Sequence, residues 1–193
     1  MTRDLFGLAV VPGFESVSEI VTPEQERALI TQIDACALEP FRFQRWLGKR
    51  LTASFGVGYD FARGRVEAAD PLPDWLLPIR ARAAAFARLA PEALVQALVI
   101  RYDPGAGIGW HRDRPVYEHV VGLSLGAPAI LRLRRRKPGH FERRSAPLEP
   151  RALYRLSGEA RHIWEHSIVE MTQTRWSITF RSMADGVRAP DPR

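Results

Sequence analysis

The spacing of apolar residues predicts helices in the first half of the chain. Thr22-Pro23-Glu24-Gln25 opens a helix with an N-cap hydroxyl, a proline at the first helical position and a glutamine that completes a capping box. We expect this helix to run to about Ala37. Asp74 caps a second helix with an alanine-rich body over residues 81–90. A strand over residues 5–11 precedes both helices.

After Pro91 and one further helical turn, the pattern becomes one of short strands separated by turn residues. These predicted strands cover residues 98–102, 107–111, 119–125, 129–134, 152–157, 166–170 and 176–181. Closely spaced strands that follow helices favour an antiparallel barrel or jelly roll packed against N-terminal helices. The length of 193 residues suits one core, so we predict a single, mainly β domain of the α+β class over residues 1–193.

Aromatic and basic residues lie in three strand-like pieces between the first helix and Asp74. The pieces cover residues 41–46, 49–56 and 59–61. Their position ahead of the strand-rich half predicts a hairpin lid, and we call residues 40–67 the lid segment.

A divided set of metal-ligand residues stands out in the second half of the chain. His111 and Asp113 are two residues apart, so on a strand their side chains point the same way, and His166 can approach from a distant strand. Two imidazoles and one carboxylate suit Fe(II) and leave its other positions open. His-x-Asp alone is common and also forms surface ion pairs, and His162 is a rival to His166.

The last predicted strand carries two arginines on one face. Alternation places Arg175, Ser177, Thr179 and Arg181 on that face and apolar side chains on the other. The arginines either meet solvent, as in most half-exposed strands, or grip a dicarboxylate inside a barrel. The spacing leaves both interpretations open.

The chain has a formal net charge of +6 and a sequence pI near 10.2, and Lys49 and Lys137 are its only lysines. Such a balance favours polyanionic partners, because arginine binds phosphate with two parallel hydrogen bonds. A predicted hairpin tip concentrates the charge in Arg132, Arg134, Arg135, Arg136, Lys137, Arg143 and Arg144. This cluster is either a solvated face or a phosphate-binding one.

Other sequence features set the expected compartment. No apolar run is long enough to cross a bilayer, and Met1-Thr2-Arg3-Asp4 lacks the pattern of a secretory signal. The single cysteine, Cys36, offers neither an internal disulfide nor a thiolate cluster, and we assign it no catalytic role. We expect a cytoplasmic protein without a membrane partner.

Six motifs stand in a specific order and spacing. They are Arg101-Tyr102-Asp103-Pro104-Gly105, His111-x-Asp113, Val121-Gly122-Leu123-Ser124-Leu125-Gly126, Gly158-Glu159-Ala160-Arg161, Trp164-x-His166 and Arg175-x-Ser177-x-x-x-Arg181. Together they resemble the AlkB family of Fe(II)/2-oxoglutarate-dependent dioxygenases. The resemblance covers residues 97–183, with a looser likeness over residues 49–61. It implies a double-stranded β-helix over residues 97–183, with helices and lid over about residues 1–96 and a short tail.

The resemblance implies that His111, Asp113 and His166 hold the iron, with no catalytic side chain beyond them. It also implies that O2 and the co-substrate 2-oxoglutarate bind at this iron.

For 2-oxoglutarate, the resemblance implies that Arg175 pairs with the distal carboxylate and that Tyr102 donates a hydrogen bond beside it. Arg181 would lie near the carboxylate that chelates the iron, and Ser177 stands between the two arginines. Ile100 and Ser177 occupy positions where some members have asparagine. These departures put the closeness to the direct DNA-repair members in doubt.

Substrate contacts are expected from the lid and from the residues that flank the metal motif. The expected contacts are Trp46, Lys49, Arg50, Tyr59, Arg112 and Arg114. A damaged base would have to leave its stack and lie between aromatic or apolar side chains above the iron. The lid aromatics are equally compatible with a role in the core.

The resemblance implies oxidative demethylation of alkylated bases in DNA or RNA, with release of formaldehyde, succinate and CO2. Two alternatives stay open. One is the same chemistry on a modified tRNA or a methylated protein, and the other is a non-catalytic basic module that binds nucleic acid. The oligomeric state is not predicted.

Overall fold

The computed structural model describes residues 10–43, 46–60 and 63–190, with residues 42, 43, 46 and 47 described by their backbone alone. Most of the predicted first strand, residues 5–9, lies outside the described residues. Val10 and Val11 form a bend, and the chain then turns into β1 (Phe14–Val17).

Two of the three α-helices in the described part of the chain follow the predicted signals. α1 spans Pro23–Asp34, and Thr22 and Gln25 form the expected capping box. α2 spans Leu77–Ala87, after a 3-10 turn over Asp74–Leu76. The prediction that Asp74 caps this helix is wrong, because Leu76 holds the N-cap position of α2 without a side-chain hydrogen bond and Asp74 lies inside the preceding 3-10 turn.

A third helix was not predicted, and one long strand was absent from the predicted strands, although the hairpin tip at its start was predicted and is confirmed. α3 (Gly158–His162) interrupts the strand-rich half, where no helix was expected. β10 (His140–Leu148) carries too many charged residues to show the alternation of a half-buried strand. Its cross-strand partner, rather than its own composition, keeps it extended.

All strand pairs in the described residues are antiparallel. The remaining strands are β2 (Glu39–Phe43), β3 (Trp46–Phe55), β4 (Val57–Asp60), β5 (Arg65–Ala68), β6 (Leu94–Tyr102), β7 (Ile108–His111), β8 (Tyr117–Gly126), β9 (Ala129–Lys137), β11 (Leu153–Leu156), β12 (Glu165–Ile168) and β13 (Arg175–Met183). The major sheet has the order β1-β11-β8-β13-β6-β3-β2 and the minor sheet the order β10-β9-β12-β7. The predicted lid segment forms β2, β3 and the separate β4–β5 hairpin.

Two apolar clusters explain how the layers pack. One cluster joins α1 and α2 to the outer face of the major sheet through residues such as Ile33, Ala83 and Phe180. The other lies between the two sheets and includes Leu133, Tyr154 and Trp164. The fold is therefore the predicted mainly β jelly roll with helices on one side.

β13 lies between β8 and β6 in the middle of the major sheet, and residues on both of its faces are buried. Phe180 packs under the helices, whereas Arg175 turns into the space between the sheets and is fully buried. The alternative that these arginines meet solvent is therefore wrong for Arg175. Among the described helices, none combines the length and apolar character that crossing a membrane requires.

Candidate metal and co-substrate site

The two histidines of the metal motif face each other across neighbouring strands. His111 ends β7 and is the register partner of His166 on β12. Directly paired residues on antiparallel strands point to the same face, and the two ring centroids are 4.3 Å apart. Asp113 follows two residues after β7, and one ligand atom from each of the three residues lies within 4.8 Å of the others. Strand pairing thus brings the distant third ligand to the pair.

Arg181 fixes the carboxylate of this cluster. Its Nε and Nη2 atoms each lie 2.7 Å from Oδ1 of Asp113. The other oxygen, Oδ2, lies 3.5 Å from Nε2 of His166. Burial alone would raise the pKa of Asp113, but the guanidinium of Arg181 and, in acid, the protonated imidazoles of His166 and His111 outweigh it and hold the pKa well below its usual range. The carboxylate is therefore an anion with one oxygen turned toward the histidines.

The two imidazoles are held neutral, which is the form that binds metal. Burial first, and then the neighbouring His111, lowers the pKa of His166 to about 3. Burial also lowers the pKa of His111. Nδ1 of His111 lies 2.9 Å from the carbonyl oxygen of Gly109, which can only accept, so Nδ1 carries the proton and Nε2 keeps its lone pair.

These observations test whether the residues fit a ferrous ion. Two neutral imidazoles and one ionised carboxylate on one side of a cavity are the donor set that suits Fe(II) and leaves positions open for further ligands. His111, Asp113 and His166 supply that set, and all three are partly buried. The residues present fit the metal.

A second buried group, Arg175, fits a carboxylate. Its Nη2 donates to Oγ of Ser124 at 3.2 Å, and its guanidinium lies 5.2 Å from the ring centre of Tyr102. Its Nε and Nη1 atoms are buried and have no hydrogen-bond partner among the described residues. An unpaired buried guanidinium is costly, and a bidentate carboxylate is the partner that removes this cost. Ser177, 2% exposed, lies two residues further along the same face.

Tyr154 and Gly122 form part of the cavity wall that sequence reasoning did not single out as site residues. Tyr154 lies on β11 beside Gly122 of β8. A Cβ on Gly122 would lie 2.3 Å from the Tyr154 ring, so the tyrosine occupies the space that the glycine leaves. Burial raises the pKa of Tyr154, and the charge of Arg175 opposes this shift. Only the cross-strand register reveals this pair.

Gln96 and Arg161 also support the site without touching the metal cluster. Nη1 of Arg181 donates to Oε1 of Gln96 at 2.9 Å. Arg161, 3% exposed, donates from Nη2 to the carbonyl oxygens of Arg114 and Tyr117 at 2.5 and 2.7 Å. Arg161 thereby holds the turn that follows Asp113. The Gly158-Glu159-Ala160-Arg161 motif was the only sequence signal for this role.

Three of the expected substrate residues, Arg50, Tyr59 and Arg114, lie near the metal cluster or contact the loop that follows Asp113. Arg50, 6% exposed, lies 3.9 Å above the Phe41 ring centre and within electrostatic range of Tyr102 and Asp113. Its Nε has no hydrogen-bond partner among the described residues. Arg114 lies 5.1 Å above the Tyr59 ring centre, which connects the metal loop to the lid segment.

The other three expected substrate residues are placed differently. Lys49 is exposed and forms an ion pair with Glu170 at 3.1 Å. Arg112 is exposed and donates to the carbonyl oxygen of His162. The backbone of Trp46 begins β3, but its side chain lies outside the described residues.

Comparisons with known proteins agree with this geometry. A model of the 2OG-Fe(II) oxygenase superfamily matches residues 24–184. The chain is 28% identical over 192 residues to the uncharacterized protein L905 of Acanthamoeba polyphaga mimivirus, covering 89% of this chain and 85% of that protein. It is 27% identical over 177 residues to a tRNA (carboxymethyluridine(34)-5-O)-methyltransferase, alkbh8, of Xenopus tropicalis, covering 87% of this chain.

The chain spans 27% of the length of the Xenopus relative. Among solved structures, that of OsALKBH1 superposes with a TM-score of 0.67 at 15% identity, covering 89% of this chain and 99% of that one. This likeness shows a shared fold.

Proposed function

Because the chain belongs to the 2OG-Fe(II) oxygenase superfamily, as an AlkB-like Fe(II)/2-oxoglutarate-dependent dioxygenase, we propose that it oxidatively demethylates alkylated bases in nucleic acid. The observation that carries the proposal is the convergence of His111, Asp113 and His166, together with a buried arginine, Arg175, whose Nε and Nη1 have no hydrogen-bond partner among the described residues. The basic composition and the AlkB-like relatives support nucleic acid as the substrate class.

Different residues of the chain would have different roles in this reaction. When bound, iron with 2-oxoglutarate and O2 supplies the oxidation of a C–H bond, and succinate and CO2 leave. His111, Asp113 and His166 would hold the metal, and Arg181 keeps Asp113 ionised and oriented. Arg175 would bind the distal carboxylate of 2-oxoglutarate and so fix the orientation of the co-substrate.

The mouth of the cavity would select the substrate. Arg50, which is stacked on Phe41 close to the metal cluster, would be a cationic neighbour of a flipped base. The Tyr59–Arg114 contact supplies a second aromatic and cationic pair. Oxidation of an N-methyl group would release formaldehyde from such a base.

A tRNA substrate is the second candidate. The observation that favours it is the similarity to the Xenopus relative, whose name describes a tRNA methyltransferase. Because this chain matches about a quarter of that protein, the printed activity of that protein does not carry over directly. The dioxygenase chemistry would be the same, and only the nucleotide in the cavity would differ.

Anaerobic reconstitution with Fe(II), followed by oxygen and 2-oxoglutarate, tests the proposal. Methylated DNA and RNA oligonucleotides, tRNA and methylated peptides are offered side by side, and mass spectrometry follows demethylation while succinate is quantified. We expect loss of a methyl group from nucleic acid in the wild type and none in Asp113→Ala. Demethylation confined to peptides, or wild-type turnover in Asp113→Ala, would overturn the proposal.

A further inference from the structure

The outer face of the minor sheet carries a cluster of arginines stacked on aromatic rings. Guanidinium groups of Arg132 and Arg134 lie 5.0 and 4.4 Å above the ring centre of Trp110. The ring of Phe141 lies on the neighbouring strand, β10. The guanidinium groups of Arg134, Arg136 and Arg143 lie 4.5, 5.7 and 5.8 Å above the centre of this ring. We call these six residues the outer platform.

The structure divides the basic cluster that the sequence presented as one group. Arg135 belongs to the opposite face, where it pairs with Glu142 at 2.7 Å and Glu159 at 2.6 Å and lies above Trp164. Arg144 pairs with Glu142 as well. The charges of these two arginines are therefore neutralised within the fold. The prediction that Arg135 belongs to a charged surface cluster is wrong.

The charge of the outer platform is poorly neutralised. Of its four arginines, Arg134 pairs with Glu165 at 2.6 Å, and among the described residues no other carboxylate forms an ion pair with the group. Arg143 is the direct cross-strand partner of Arg134, although like charges in that position destabilise a sheet. An anionic partner would remove this repulsion.

Flat and apolar surface accompanies the charge. Ile130 shares the outward face of β9, and Val169 lies just past the end of β12. Each is 48% exposed, and they are two of the four large apolar side chains that are most exposed among the described residues. Exposed apolar groups beside stacked guanidiniums suit the bases and sugars of a single strand, whereas phosphates suit the charges.

The position of the outer platform connects it to the site. Trp110 directly precedes His111, and Glu165 directly precedes His166, so the outer platform lies on the reverse face of the two strands that carry the histidines. Along β9, successive outward-facing residues are about 6.6 Å apart. This distance is similar to the distance between neighbouring phosphates in an extended nucleic-acid strand. A single strand of nucleic acid bound here could pass over β7, the edge β-strand of the minor sheet, to the metal site.

We propose that the outer platform binds single-stranded nucleic acid that flanks the nucleotide in the cavity. This inference rests on the proposed function for its partner class, but it concerns a different surface. In this proposal the four arginines contact phosphates, and bases or sugars pack against the exposed apolar side chains.

Binding of an unmethylated oligothymidylate or oligouridylate of about 12 nucleotides tests the outer platform, since single-strand sites cover about 4–16 nucleotides. Fluorescence anisotropy is followed from about 50 to 200 mM salt. The variant Arg136→Gln/Arg143→Gln removes two exposed arginines, and Arg27→Gln/Arg88→Gln removes two exposed arginines from the helical side. Thermal stabilisation by 2-oxoglutarate with Fe(II) checks that each variant keeps an intact site.

We expect the outer-platform variant to bind about 20-fold more weakly near 0.1 M salt, with a salt slope smaller by about 1.4. The control variant should lose at most a fewfold affinity. Equal losses in both variants, no loss in either, or equally tight binding of polyglutamate would overturn the proposal.

A further comparison separates the outer platform from the proposed function. Wild-type turnover of a methylated nucleoside without any oligonucleotide binding would overturn the outer platform alone. Oligonucleotide binding through the outer platform without turnover of any methylated nucleic acid would overturn the proposed function alone.

Discussion

Arg181 places two of its nitrogen atoms, Nε and Nη2, at 2.7 Å from the same oxygen, Oδ1, of Asp113. This contact leaves the second carboxylate oxygen facing His166. The arginine thus orients the one anionic ligand of the candidate iron site and keeps it ionised. Its removal should therefore affect metal binding before it affects the fold.

Arg181→Met should weaken Fe(II) affinity by about 10- to 100-fold, because a buried partner of a metal ligand orients that ligand. Anaerobic calorimetric titration measures this affinity. Arg101→Met, which removes a surface arginine that is ion-paired to Asp34 and Asp103, is the matched control and should bind iron like the wild type. An unchanged affinity in Arg181→Met would contradict the role of this contact.

Arg175→Met should stabilise the protein without ligands, by about 1–4 kcal/mol, because it replaces an unpaired buried charge with an apolar side chain of similar length. The same variant should lose the thermal stabilisation that 2-oxoglutarate gives the iron-loaded wild type. Thermal unfolding with and without the co-substrate measures both effects. Retained stabilisation by 2-oxoglutarate would place the co-substrate elsewhere.

Gly122→Ala should destabilise the fold by about 1–3 kcal/mol, because the new methyl group overlaps the Tyr154 ring. In the background Tyr154→Ala, which removes the ring, the same substitution should cost much less. Urea unfolding of the four proteins in this double-mutant cycle gives the coupling. Equal costs in the two backgrounds would show that the ring does not fill the space above the glycine.

Acid should destabilise the metal-free protein through His166. Its pKa is lowered by burial to about 3, whereas an unfolded histidine titrates near 6.5. Between these values the unfolded chain binds the proton and the folded chain does not, so stability falls as the pH falls, by up to about 1.4 kcal/mol per pH unit. His166→Gln should show a shallower decline in chemical unfolding across this window, and identical slopes would exclude His166 as the cause.

Features defined by local spacing could be predicted from the sequence. The capping box at Thr22 fixes the start of α1, and period-two alternation identifies the strand that carries Arg175. The three candidate ligand residues could also be named, because His111 and Asp113 are two residues apart and His166 belongs to a recognisable motif.

Features that depend on register could not be predicted. The pairing of His111 with His166, the fit of Tyr154 over Gly122 and the inward turn of Arg135 arise from which strands lie side by side. β10 was absent from the predicted strands because its charged residues form stacked and ion-paired contacts instead of an apolar stripe. The residues in these long-range pairs are not separated by a fixed number of positions, so no sequence pattern identifies them.

The most direct test is a crystal structure of the protein grown anaerobically with Fe(II) and 2-oxoglutarate, with anomalous scattering used to locate the iron. We expect one iron about 2.0–2.2 Å from Nε2 of His111, a carboxylate oxygen of Asp113 and a ring nitrogen of His166. The distal carboxylate of 2-oxoglutarate should occupy the unpaired nitrogens of Arg175. Iron bound away from these three side chains, or no iron bound by the wild type, would contradict the account.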